Sequence, residues 1–93
     1  MLVELISIKR ISNNDFRLEK VYLNPKHIVY LTEDRTYKQA LMENKINLDL
    51  NKNVDFTKIR MTDNALITEL TVVGAPSDIE SKMSKRQKIL LRD

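Results

Sequence analysis

The longest β-branched stretch of the chain, LITELTVV at Leu66–Val73, is bounded on both sides by residues that end strands. Before it stands Thr62-Asp63-Asn64-Ala65, in which Asp-Asn is a pair able to enter the positive-φ region that a tight hairpin turn requires. After it comes Gly74-Ala75-Pro76, where proline, lacking an N–H, cannot continue a ladder. The run Lys58-Ile59-Arg60-Met61 lies just ahead of the turn, so the two runs predict a hairpin, and a hairpin commits the chain to antiparallel pairing. With 93 residues there is material for one modest core, so residues 1–93 are expected to form a single domain.

Other strands follow from the same punctuation. Leu2–Ile11, rich in Val and Ile, reads as a strand, and the turn formers Ser12-Asn13-Asn14-Asp15 predict a reversal after it. Phe16–Leu23 alternates at each end but is interrupted by Glu19-Lys20, which predicts a strand with an irregularity or bulge at its middle. Asn24-Pro25 suits the opening of a type I turn. Ile28–Thr32 then reads as a short strand that is central or buried on both faces. Thr36–Asn44 predicts a two-turn helix with Tyr37, Ala40 and Leu41 on one side; Ile46, Leu48 and Leu50 alternate like an exposed strand, and 51–55 reads as loop.

Near the C-terminus, Ser77-Asp78-Ile79-Glu80 has the spacing of a capping box and predicts a helix starting at Ser77. Asp78 and Glu80 near its start and Lys88 and Arg92 near its end match the helix dipole. Together these elements predict an α+β fold: an antiparallel sheet of about five strands built from hairpins, with a C-terminal helix. Ile79, Met83 and Leu90 lie close to one stripe of that helix. The succession Ile89-Leu90-Leu91 exceeds what one stripe buries, which makes these three a candidate interface and homo-oligomer formation, through the helix or an edge strand, an expectation.

The chemistry-bearing residues are sparse. The chain has no cysteine, which removes disulfides and thiol catalysis. Its one histidine, His27, follows a turn and has no companions at metal-ligand spacing, and the carboxylates Glu33, Asp34 and Asp63 are not arranged as an acid and base pair. One glycine, Gly74, cannot build a phosphate-cradling loop. We therefore expect no catalytic, cofactor or metal site. Tyr22, Tyr30 and Tyr37 resemble a stacking platform only superficially, and Tyr22 and Tyr30 flank a turn where core packing is expected.

Charge is mildly basic, with 16 Lys and Arg against 13 Asp and Glu. Ser77–Asp93 concentrates it, with Lys82, Lys85, Arg86, Lys88 and Arg92 against Asp78, Glu80 and Asp93. Lys82, Lys85, Arg86 and Lys88 are thus the candidate nucleic-acid contacts, with Lys58 or Arg60 on the second hairpin as helpers. The same charges also serve as a solvated helix face, and binding to another protein or to self is the leading expectation. No run approaches the ~18 apolar residues of a membrane span, and the opening MLVELISIKRI carries its charges after its apolar stretch, so a cytoplasmic protein is expected. Heavy use of Lys, Asn and Ile fits an AT-rich genome such as those of some bacteria and phages.

FRLEKVYLNPKHIVYLTED at Phe16–Asp34 and TKIRMTDNALITELTVVGAPSDIESKM at Thr57–Met83 together resemble the small FlbD/SwrD proteins of bacterial flagellar operons, which have similar short relatives in phages. The resemblance rests on Leu23-Asn24 before Ile28, the polar turn Thr62-Asp63-Asn64 and the acidic helix start Ile79-Glu80. This chain departs from that pattern at Asn64-Ala65, where the family usually has glycine, in a block beginning at Arg35, and in the basic extension after Met83. The resemblance implies a non-enzymatic accessory or regulatory protein and brings no catalytic residues with it.

Overall fold

The turn formers divide the chain into two hairpins and a lone strand, and the pairing among them sets the architecture. The computed structural model describes residues 2–13, 15–43, 45–46, 48, 50 and 53–92, with side chains as far as Ser84. In chain order the elements are β1 (Val3–Arg10), β2 (Phe16–Leu23), a single 3-10 turn (Pro25–His27), β3 (Ile28–Glu33), α1 (Arg35–Met42), β4 (Phe56–Asp63), β5 (Leu66–Val73) and α2 (Pro76–Arg92). The strands form one five-stranded antiparallel sheet in the order β2-β1-β5-β4-β3. It is a small mixed fold, mostly strand. Contrary to the expectation from Ile28–Thr32, β3 is an edge strand, and its register shifts between Ile28 and Tyr30.

The predicted bulge in β2 is absent. Val3 to Arg10 pairs with Leu23 to Phe16 residue for residue, without a break. In antiparallel pairing, opposed residues share a face. Arg10, Ile8, Ile6 and Glu4 therefore lie on one face with Phe16, Leu18, Lys20 and Tyr22, and Val3 and Leu5 lie on the other with Leu23 and Val21. Phe16 and Leu18 pack with Ile8, Phe56 and Leu41, whereas Val21 and Leu23 pack with Val3, Leu5 and Ile79. The interruption at Glu19-Lys20 marks the point where burial passes from one face to the other.

Each helix covers one of those faces. α1 brings Leu41, Tyr37 and Ala40 onto Ile8, Phe56 and Val73. Tyr37 meets Phe16 edge-on at 5.7 Å between centroids and Phe56 at 5.9 Å, within the range in which aromatic pairs add to plain burial. On the opposite face, α2 sets the fully buried Ile79 and the partly buried Met83 against Val3, Leu5, Ile59 and Val72. Phe56, Ile59 and Val72 are completely buried, so β4 and β5 form the shared middle of both clusters.

Two sequence expectations are corrected around the helices. Among the described residues of 46–50 there is no strand; Ile46 is buried, and Leu48 and Leu50 pack with it against the Ile8–Phe56 cluster. The chain leaves α1 by doubling back, the Lys45 N–H donating to the Ala40 carbonyl at 2.8 Å, so these apolar residues fold over α1's side of the sheet. α2 begins at Pro76, so Ser77 lies inside it. The Ala75 carbonyl accepts from the Ile79 N–H at 3.1 Å, placing the cap at Ala75 and proline at the first helical position, where its fixed φ and missing N–H carry no penalty.

Gly74 makes this junction. Its φ is +122°, and an added Cβ would stand 3.2 Å from Ile79 Cδ1. Its N–H donates to the Asp55 carbonyl at 2.8 Å, and its own carbonyl accepts from the buried Thr57 hydroxyl at 2.7 Å.

Candidate functional site

The sheet is least complete at its centre. The β1–β2 and β4–β5 hairpins each run through eight pairs, but β1 and β5 meet only at Ser7–Val72 and Ile8–Thr71. Past those pairs the two hairpins part like the prongs of a fork, and a cleft of about 720 Å³ opens between them. Lys9 and Arg10 stand on the β1 prong, Thr68, Glu69 and Leu70 on the β5 prong, and Ile8, Thr71, Tyr37 and Lys58 toward the base. Continuing the register would bring Arg10 opposite Glu69, a pairing the splayed strands do not make.

Asp34 closes the base of the cleft. It is 7% exposed, and both carboxylate oxygens are engaged: Oδ1 accepts from the Thr36 N–H at 3.0 Å as the cap of α1, and Oδ2 accepts from the Thr71 hydroxyl at 3.0 Å. A short acidic side chain ahead of a helix is the ordinary cap signal, which marks Asp34 in the sequence as a cap. One carboxylate thus ties the start of α1 to β5. Lys38 of α1 also pairs with Asp55 ahead of β4, fixing the helix to the sheet from its other side.

On the β1 wall the charges are already partnered. Lys9 lies 4.0 Å from Glu19, and the Arg10 guanidinium donates to the Ser12 and Asn13 carbonyls at 3.3 and 3.1 Å. Nearby on the α1 face, the Arg60 guanidinium lies 6.0 Å from the ring centroid of Tyr30. Hydrogen bonding to Tyr30, with the Glu69 carboxylate nearby, holds the Arg60 guanidinium above its ordinary pKa.

Core packing was expected for Tyr22 and Tyr30, and neither packs there: they are 58% and 41% exposed. The pairings with Glu4 and Arg60 place both on the α1 face of the sheet, beyond the part that α1 covers. Tyr22 donates to Glu4 at 3.1 Å on one edge strand, while Tyr30 belongs to the other edge strand, so they do not form a common platform. Tyr37 alone of the three joins a core cluster.

Of the candidate nucleic-acid contacts, Lys82 is exposed on α2; the side chains of Lys85, Arg86 and Lys88 lie outside those described, as do those of the candidate interface residues Ile89, Leu90 and Leu91. Lys58 and Arg60 pair with Thr71 and Glu69, on the α1 face, so the sheet itself separates them from the α2 side that carries Lys82. His27 is half-buried, its Nδ1 3.2 Å from the Thr62 carbonyl. Glu33 is paired at the surface with Arg35 at 3.7 Å, apart in role from its buried neighbour Asp34. Among the described residues no group of three or more His, Cys, Asp or Glu could hold a metal ion, and no helix is long and apolar enough to cross a membrane. No family model, curated protein or solved structure matches the chain.

Proposed function

We propose that the chain is a non-catalytic accessory or regulatory protein of the α+β kind, bacterial or phage-encoded and cytoplasmic, that acts by binding another protein or a second copy of itself. The observation carrying this reading is that large apolar side chains are left uncovered on β3 and at the turn end of β5. Val29 is 57% exposed, Tyr30 41%, Leu66 69% and Ile67 58%. Tyr30 and Ile67 lie on the α1 face and Leu66 on the other; singly such residues are unremarkable on a surface, but several close together in the sheet are what contact with another macromolecule would cover. The resemblance to FlbD/SwrD proteins agrees with a role of this sort.

A nucleic-acid regulator using Lys82, Lys85, Arg86 and Lys88 is the alternative. Lys58 and Arg60 lie on the face opposite α2, so one phosphate backbone would not reach them together with the helix, and α2 would have to supply the contacts alone.

Affinity capture of the tagged chain from its native host, with and without nuclease, separates the two. The protein-binding reading expects a partner that survives nuclease and is lost from a Leu66→Glu, Ile67→Glu double variant, or concentration-dependent dimers in sedimentation that the same variant abolishes. Material released by nuclease would favour the alternative, and a monomer that retains nothing would end both readings.

A further inference from the structure

We propose that the cleft between β1 and β5 accepts an extended, uncharged polypeptide segment as an added strand along the inner edge of β5, an inference that rests on the protein-binding reading above. An unpaired strand edge is a row of main-chain donors and acceptors at the spacing of another strand, and an incoming extended backbone is the chemistry that satisfies it. Proteins normally guard such edges with charge, bulges or short length. The outer edges here are guarded: β2 carries Arg17, Glu19 and Lys20, and β3 has a broken register. The inner edge of β5 over Leu66–Leu70 has no bulge, because its register with β4 is unbroken, and it carries a single charge, Glu69, against three on β2.

The walls indicate which side chains the added strand carries. Lys9, Arg10 and Lys58 line the cleft against Glu19, Asp34 and Glu69, so the lining has no excess of either sign. Lys9 already has Glu19 as its partner, and Arg10 and Asp34 are hydrogen-bonded within the fold. The remaining lining charges, Lys58 and Glu69, have no ion pair among the described residues, and being opposite in sign they favour neither charge on the incoming strand. A β-branched or hydroxyl side chain, by contrast, meets Thr68, Leu70 and Ile8 without the cost of desolvating a charge. The occupant is therefore an extended run of residues such as valine and threonine.

Closing the fork tests this. Arg10 and Glu69 fall opposite one another when the β1–β5 register is continued, and the chain has no cysteine, so an Arg10→Cys, Glu69→Cys variant can form one disulfide across the cleft. The probe is an acetylated, amidated peptide of alternating valine and threonine, followed by amide NMR on the labelled full chain. Expected are slowed exchange at amides within Leu66–Leu70 on adding the peptide, no effect from a peptide N-methylated at alternate residues, and at least ~tenfold weaker binding to the oxidised variant, restored by reductant. The reduced variant is its own control for folding. Shifts confined to other strands, equal binding by the N-methylated peptide, or self-pairing of this edge between copies without peptide would overturn the proposal. A host partner captured equally by the oxidised, closed form would overturn it while leaving the protein-binding reading intact; a partner captured by no form would remove both.

Discussion

At Ala65 the backbone takes φ +72°, next to Asn64 at +48°, which is the pair of left-handed residues a two-residue hairpin loop needs. Asparagine tolerates that region and alanine does not, because its Cβ crowds the backbone carbonyl. Ala65→Gly is therefore expected to stabilise the fold by about 1 kcal/mol in chemical denaturation, and a loss of stability would contradict this turn. Gly74→Ala should do the reverse and cost about 1–3 kcal/mol, since φ +122° suits only glycine and the new methyl meets Ile79. Asp34→Ala removes the α1 cap and strands the buried Thr71 hydroxyl, at about 2–3 kcal/mol, while Asp34→Asn keeps an acceptor and should cost less. Gly74 and the place of the hairpin turn were legible because they act locally, but the pair expected at positive φ, Asp63-Asn64, is one residue early: Asp63 ends β4 and the left-handed pair is Asn64-Ala65. The bond from Asp34 to Thr71 was not legible, because it joins residues 37 apart in sequence.

Among the elements, the hairpins could be read from their turns, and the errors came where one apolar pattern has two physical causes. A change of phase in alternation arises from a bulge or from a change in which face is covered; in β2 it is the second, and only the positions of both helices decide it. Alternation at Ile46, Leu48 and Leu50 likewise describes a chain folding over a cluster as well as it describes a strand. For α2 the serine cap signal competed with Pro76, and the proline's fixed φ set the first turn. These placements give a contrast between two large side chains. Ile79→Ala, which empties the contact of α2 with the sheet, should cost about 2–5 kcal/mol, while Tyr30→Ala on the open face should stay near 0.5 kcal/mol or below in the same denaturation series. A large loss from Tyr30→Ala would mean that the face is covered.

Taken whole, the molecule is a sheet with a helix on each face and hairpins that diverge from a two-pair junction. The number of strands was legible, but the junction was not: β1 and β5 are far apart in sequence, and no local residue preference encodes how many pairs two such strands will make. The divergence leaves Leu66–Leu70 of β5 without a partner on the β1 side, which is what the proposed strand addition rests on. Amide hydrogen exchange along β5 in the free chain tests this most directly. Thr71 and Val72, paired on both sides, should be protected, and alternate amides within Leu66–Leu70, those turned away from β4, should exchange far faster. Uniformly slow exchange from Leu66 to Val72 would mean that β1 and β5 pair along their length, and that the cleft does not exist in solution.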